Sequence, residues 1–271
     1  MALNAVKLSA DEIESPADSS DARVSAAPGP VAKLAVVVPT LREAQNIRLL
    51  LNRIRGSLDP LGVAYEVIVV DDDSRDGIDT IVQEIAEADP RVRLLVRTGE
   101  RGLGGAVLHG WKHTAADVLG VIDADLQHPP ELLPQLWKAA EAGNDVVLAS
   151  RYAPLGGLSN WHPARHLLSC MAIWLTYPLQ KPGIYVKDPM AGFFLVRRSC
   201  LRDVDMHTEG FKILLEILVR ADVRSVVEIP FTFGPRHAGT SKANLKVGLH
   251  YFALLYRLWK SRAPARTPVS E

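Results

Sequence analysis

Residues 34–58 read LAVVVPTLREAQNIRLLLNRIRGSL, and the two halves of this stretch carry different periods. LAVVVP is a short continuous apolar run, the pattern of a strand buried on both faces. After it, Ile47, Leu50, Leu51 and Ile54 recur at the spacing of one helix face. A buried strand that runs directly into an amphipathic helix is the repeating unit of an α/β sheet, and the same cycle recurs down the chain.

YEVIVVDDD predicts a second strand and GIDTIVQEIAEA a helix built on Ile78, Ile81, Val82 and Ile85. VRLLV is a strand and GLGGAVLHGWKHT a helix. DVLGVIDAD is a strand, PELLPQLWKAAEAG a helix with proline in its first turn, and DVVLASRY a fifth strand. Short links between alternating strands and helices predict an open, mostly parallel sheet with helices on both faces. In such folds ligands lie beyond the carboxyl ends of the strands. Three of those ends are polar: Pro39-Thr40 with Glu43, Asp71-Asp72-Asp73, and Asp123-Ala124-Asp125. All three are expected to line one crevice.

Past Tyr152 the pattern changes. AGFFLVRR and VRSVVEIPFTF read as further strands around the helix GFKILLEILVRA. ARHLLSCMAIWLTYPLQK is an apolar stretch with Arg165 and His166 near its start and Lys181 at its end. In NLKVGLHYFALLYRLWKSR the polar residues Lys246, His250, Arg257 and Lys260 fall on one helical stripe, and apolar residues such as Leu249, Phe252, Leu255, Tyr256 and Trp259 cover the rest. Residues 247–259 would extend about 20 Å as a helix, too short for a bilayer core. Two readings of these segments stay open: core or oligomer-interface helices, or helices lying in a membrane interface with their basic residues at the headgroups.

The totals set bounds. Lys plus Arg and Asp plus Glu are 31 each among 271 residues, so no global field attracts nucleic acid, and none is expected as a partner. The 2 cysteines, Cys170 and Cys200, make neither a disulfide framework nor a zinc spacing, and both are expected as buried thiols in a reducing compartment. The N-terminus lacks a basic-then-apolar signal pattern, and no apolar run reaches the roughly 20 residues of a spanning helix. The expectation is a cytoplasmic protein peripherally associated with a membrane. Residues 1–30 are rich in Ser, Ala, Asp and Pro without a period, and are expected to form a disordered tail. A catalytic domain over 31–243, with an apolar interfacial helix at about 163–180, and a C-terminal amphipathic helix and tail over 244–271 complete the expected organisation.

The chemistry starts from Asp123 and Asp125. Two carboxylates straddling one alanine at a strand end suit a hard divalent ion that takes its remaining ligands from phosphate and water, and Gln127 can add a neutral oxygen. His128 reads as a turn residue, since oxygen-preferring ions do not favour imidazole. GPRHAGTSK places Arg236 and Lys242 in a glycine-containing loop after a strand, suited to closing over phosphates. Arg151 and Arg165 can add charge on the same side. RGLGGAVLHG has no lysine followed by Ser or Thr, so it is not a Walker loop, and tight packing accounts for it better than a phosphate cradle does.

VVVPTLREAQNI, EVIVVDDDSRDG, GLGGA, DADLQHPPE, SRY, DPMAGFFLVRR and RHAGTSK occur in the order seen in family 2 glycosyltransferases, and the chain most resembles their polyprenol-phosphate mannose synthases. The likeness runs from about Leu34 to Lys246. It implies a GT-A nucleotide-sugar fold and an inverting transfer of a hexose, mannose from GDP-mannose, to a polyprenyl phosphate. Carried over by position, Pro39, Leu41, Glu43, Val70 and Asp72 would contact base and ribose. Asp123, Asp125 and Gln127 would hold Mg²⁺ or Mn²⁺ on the diphosphate, with Ala124 against the substrate. Arg151, Arg236 and Lys242 would bind phosphates, Arg165 would meet the lipid phosphate, and Asp125, Arg236 and Lys242 would be catalytic. Three positions depart from the family: Leu41 stands where an aromatic residue is usual, Asp73 for Gly or Ser, and Arg75 for Pro. They bear on the nucleobase more than on the chemistry. Another donor of the UDP-glucose type, another acceptor, and a non-catalytic nucleotide-sugar-binding scaffold stay open at this point. So does a membrane-protein partner or a homo-oligomer.

Overall fold

The computed structural model describes residues 5–6, 22–24, 32–99, 101–153, 157–158, 163–202, 204, 206–207, 212–233 and 245–261. In chain order these form β1 (Ala5–Val6), β2 (Ala22–Val24), β3 (Leu34–Thr40), α1 (Ala44–Leu58), β4 (Tyr65–Asp71), α2 (Ile78–Ala88), β5 (Val92–Arg97), α3 (Leu103–Lys112), β6 (Val118–Val121), α4 (Leu133–Glu141) and β7 (Val146–Ser150). Then follow β8 (Gly157–Leu158), α5 (Pro163–Trp174), β9 (Phe194–Arg197), β10 (Met206–His207), α6 (Ile213–Arg220), β11 (Val226–Pro230), β12 (Thr232–Phe233) and α7 (Leu245–Lys260).

Eight strands build the main sheet in the order β11-β7-β9-β6-β3-β4-β5-β2. The β6-β3-β4-β5 run and the β11-β7 pair are parallel, whereas β9 is antiparallel to both its neighbours and β2 is antiparallel to β5. This is the mostly parallel α/β sheet that the sequence pattern predicts. Alternation along each strand divides the core in two. Leu34, Val36 and Val38 of β3 pack with Ile47, Leu50, Leu51 and Ile54 of α1 and with α2 and α4 on one face. Ala35 and Val37 pack with α3 and α6 on the other. Both faces are covered, which is why the strands read as unbroken apolar runs rather than as alternations.

The charged residues inside these strands are paired. Arg93 of β5 donates to Glu66 of β4 at 2.8 Å, and the Glu66 carboxylate also accepts from Thr114 after α3. Both partners of this ion pair are buried, and Arg93 also donates to the His113 carbonyl, though its Nε has no hydrogen-bond partner among the described residues.

The N-terminal segment differs from the unstructured expectation at two places. Ala22–Val24 pairs with the outer edge of β5, and Ala5–Val6 pairs with β10. Backbone groups along an open sheet edge can be satisfied by any extended segment, so no apolar period is needed to recruit it. The cysteines also divide. Cys200 is buried, but Cys170 on α5 is only half-buried, because its helix lies at the surface.

The two apolar segments become α5 and α7, which pack on each other. Ile173 joins Tyr251, Leu254 and Leu258 in a third cluster with Leu179, Met190 and Leu215, and the Tyr251 hydroxyl donates to the Ala172 carbonyl. The opposite faces stay exposed. Phe252, Tyr256 and Trp259 on α7 are 60–64% exposed, and Trp174 at the end of α5 is 71% exposed. No helix among the described residues is long and apolar enough to cross a membrane.

Candidate active site

The carboxyl ends of β3, β4 and β6 meet in a cleft of about 310 Å³ lined by Pro39, Thr40, Leu41, Glu43, Asp72, Asp123, Ala124 and Asp125 together with Gly102, Leu103 and Ala106 from the start of α3. Glu43 also borders an adjoining, more open hollow of about 710 Å³, whose wall carries Arg42, Asp73, Arg75, Asp76 and Arg101. The three polar strand ends therefore share one crevice. Its rim is conformationally costly. Arg42, Asp73, Arg75 and Leu126 all have φ between +51° and +60°, a region non-glycine residues rarely enter, and all four follow the ends of these strands.

Structure sorts the triple aspartate into separate tasks. Asp71 closes the turn, its carboxylate accepting from the Thr40 and Ser74 hydroxyls and from the Ser74 N–H at 2.8 Å. Asp72 faces the cleft. Its Oδ2 accepts from the Gly102 N–H at 2.7 Å and its Oδ1 lies 3.4 Å from Arg97. Burial outweighs these partners and raises the Asp72 pKa above the usual carboxylate value. Asp72 Oδ1 is buried against Arg97 without a hydrogen bond among the described residues. Asp73 turns outward to an exposed ion pair with Arg75 at 2.8 Å. Arg75 stands at φ +54°, whereas the proline usual there would require about −65°, so this turn has its own shape.

Val70 is placed beneath the cleft, not on its wall. Its side chain is fully buried, and its carbonyl accepts from Thr40 Oγ1 at 3.3 Å. The glycines after Gly102 serve packing. A Cβ on Gly105 would stand 2.9 Å from the Arg97 guanidinium, so its absence lets the Asp72–Arg97 pair lie against α3.

Asp123 and Asp125 are half-buried at the end of β6. Asp125 Oδ1 accepts from the Gln127 N–H at 3.1 Å across the turn made by Leu126. Asp123 lies against the turn before β9: a Cβ on Gly192 would fall 2.2 Å from its Oδ2. No group of three or more His, Cys, Asp or Glu among the described residues is arranged to hold a metal. Two hard oxygen donors at a cleft, with a space kept by glycine beside one of them, fit a divalent cation that completes its shell from phosphates and water. Asp123, Asp125 and Gln127 are the residues that would hold it.

His128 lies in the turn after β6 as expected, and its ring is buried there. It is 4% exposed, its ring packed against Phe193 and Phe231 at 6.0 and 5.4 Å, with Nδ1 3.7 Å from Asp123 Oδ2. Burial above all, then Arg151, pushes its pKa down to about 3, so the ring is neutral at ordinary pH and packs as a core residue.

Arg151, at the end of β7, is engaged by a residue that motif spacing alone did not single out. Asp188 accepts from its Nε at 2.8 Å, its Nη2 at 2.7 Å and its backbone N–H at 3.0 Å. Asp188 is fully buried and in turn accepts no solvent, while its own N–H donates to Glu228 at 3.1 Å. Lys212, before α6, is a second cation of this region and was equally unmarked. The signal lay in DPMAGFF: an acidic residue leading into an apolar strand. Because β9 is antiparallel, the loop before it reaches the same sheet edge as the loops after the parallel strands. Of the remaining predicted residues, Arg165 lies on α5 with its side chain outside the described residues, and Arg236 and Lys242 lie outside them altogether.

Comparison with known proteins follows this geometry. The model of Glycosyl transferase family 2 matches residues 35–205. The chain is 42% identical over 229 residues to a dolichol-phosphate mannosyltransferase of Pyrococcus furiosus, covering 84% of this chain and 64% of that protein's length. It is 37% identical over 238 residues to the dolichol-phosphate mannosyltransferase of Mycosarcoma maydis, covering 84% of this chain and 79% of the relative. Among solved structures, glucosyl-3-phosphoglycerate synthase from Mycobacterium tuberculosis in complex with Mn²⁺, UDP-glucose and phosphoglyceric acid shares the fold, with a TM-score of 0.57 and 17% identity over 89% of this chain and 84% of that one. Sheet order, crevice and sequence agree that this chain belongs to the family 2 glycosyltransferases.

Proposed function

We propose that this chain transfers mannose from GDP-mannose, with inversion, to a polyprenyl phosphate at the cytoplasmic face of a membrane. The observation that carries the reading is the meeting of Asp72, Asp123 and Asp125, from two separate strand ends, in one cleft beside Pro39 and Leu41. The names of the curated relatives support the sugar and the lipid acceptor. The chain spans 64% of the Pyrococcus relative's length, so its whole activity is part of the proposal.

In this reading Pro39, Leu41 and Glu43 form the nucleoside wall, and Asp72, which lines the same cleft, is assigned to base or ribose. Asp123, Asp125 and Gln127 orient the diphosphate through Mg²⁺ or Mn²⁺. A bound ion supplies Lewis-acid stabilisation of the charge that develops on the leaving diphosphate. Arg236 and Lys242 are assigned to the phosphates, as is Arg151, whose guanidinium is held in orientation by Asp188. Arg165 is assigned to the acceptor. A phosphate monoester has a second pKa of about 6, so the attacking oxygen is ionised at neutral pH and no side chain needs to take a proton. The exposed aromatic faces of α5 and α7 supply the contact with the membrane surface in which the acceptor resides.

The test is incubation of the purified chain with a panel of nucleotide sugars and a polyprenyl phosphate, with and without Mg²⁺ or Mn²⁺. Lipid-linked mannose from GDP-mannose, dependent on the ion and lost by at least 100-fold in Asp125→Ala, is the expected result. Transfer from UDP-glucose alone would replace the donor, and no lipid-linked product from any donor would overturn the reading.

A further inference from the structure

Lys212 is a cation for which neither the strand-end pattern nor the nucleotide wall provides a role. It occupies the N-cap position of α6, and its Nζ lies 3.5 Å from the carbonyl of Met190. Met190 sits in the turn between Asp188 and Gly192, the same turn that packs on the Asp123 carboxylate. Four charged groups thus gather around the loop before β9: Asp123, which lines the cleft, with Asp188, Arg151 and Lys212. Burial above all, then Arg151, lowers the Lys212 pKa, while Asp123 and Asp188 act to raise it.

Within this group the charges are not equivalent. Asp188 holds Arg151 through three hydrogen bonds, which fix its guanidinium and offset its charge. Asp123 lines the cleft, and Lys212 is tied through Met190 to the turn that packs on Asp123. A sugar nucleotide carries two diphosphate charges that a divalent ion balances. The acceptor adds a further monoester of nearly two negative charges at neutral pH. A reaction that crowds that much anion beyond β6 requires fixed cations there, and the positive end of the α6 dipole lies in the same place.

We propose that Lys212 is a further phosphate-binding residue of this active site, presented by the N-terminus of α6 to the phosphates that react beside Asp123. The inference rests on the glycosyl-transfer reading and assigns one of its unclaimed groups. Two phosphates share the required chemistry: the leaving diphosphate and the acceptor monophosphate.

The experiment compares the full chain with Lys212→Met, which keeps the apolar stem and removes the charge, and with Lys212→Arg, which keeps the charge. Calorimetric titration with GDP in the presence of Mn²⁺ is paired with kinetics in which polyprenyl phosphate is varied. Loss of one charge-assisted hydrogen bond predicts a fall in kcat/KM of roughly 10- to 100-fold in Lys212→Met, partly recovered in Lys212→Arg. A matching loss of GDP affinity assigns Lys212 to the diphosphate. Unchanged GDP affinity with a raised KM for the lipid assigns it to the acceptor. GDP affinity and both kinetic constants within about twofold of wild type in Lys212→Met would overturn the proposal. Should that variant fail to fold by circular dichroism, Lys212→Gln takes its place under the same criteria. If the unsubstituted chain transfers no sugar, the glycosyl-transfer reading fails alone, and titration with GDP and inorganic pyrophosphate still decides whether Lys212 binds phosphate.

Discussion

Asp123 is held by what its neighbour lacks. A methyl group on Gly192 would stand 2.2 Å from Asp123 Oδ2 and 2.9 Å from its Cγ, closer than any real contact, so Gly192→Ala must displace the carboxylate or the turn. The expected outcome is a loss of metal-stimulated transfer of roughly 100-fold or more with little change in overall stability. Paired measurement of activity against Mn²⁺ and of the thermal midpoint checks it; normal activity would show that Asp123 does not need this position. At this scale the carboxylates are legible in the sequence, because a strand end with Asp-x-Asp can be placed from local pattern alone. Asp188, Gly192 and Lys212 are not, since what matters in them is a neighbour 22 to 69 residues away along the chain. The burial of the turn residue His128 is hidden for the same reason: nothing in QHPPE reveals that Phe193 and Phe231 pack against it.

The elements show how one helix serves two environments. In α7 Tyr251, Leu254 and Leu258 face α5 and the third core cluster, while Phe252, Tyr256 and Trp259 lie three and four residues apart on the opposite side. The sequence, apolar over most of the helix circumference, left core and membrane-interface readings open. The structure gives one face to the core and leaves an aromatic face, with Trp174 of α5, in the open. Replacing Phe252, Tyr256 and Trp259 together by serine removes exposed apolar area with little packing to lose, so the fold is expected to persist. Flotation with anionic vesicles is expected to fall at least 10-fold, with transfer to a short-chain, water-soluble polyprenyl phosphate kept within a few-fold. Undiminished flotation would remove these residues from the membrane contact. The orientation of β9 is a second property of this scale. Its apolar run reads as a strand, but its antiparallel direction, which brings residues 188–192 to the crevice, depends on pairing with β6 and β7.

For the whole molecule, the buried polar groups set the response to acid. His109 of α3 lies 4.3 Å from the His113 ring, and burial, with like charge from His113, lowers its pKa to about 4. A histidine depressed from 6.5 in this way binds its proton more readily unfolded than folded, so it stabilises the fold less as pH falls from 6.5 toward 4. The full effect is about 3 kcal/mol at the usual 1.36 kcal/mol per pKa unit. Denaturant unfolding from pH 7.5 to 4.5 is expected to show stability falling with acid, with a shallower slope in His109→Gln; equal slopes would exclude His109 as a cause. The fold class was legible in the sequence because burial on both faces of a sheet imposes continuous apolar strands, and helices above and below it impose a 3.6-residue period. Both are local patterns. Chain order likewise determined that three polar strand ends share one edge, since parallel strands joined by helices must all end on the same side. What only the tertiary structure decided was which of those polar groups face the cleft and which close turns or core pairs. Asp71 is spent on Thr40 and Ser74, Arg151 is held by Asp188, and Lys212 is brought to the turn that packs on Asp123. Such partnerships rest on contacts between distant segments, and no local period in the chain encodes them.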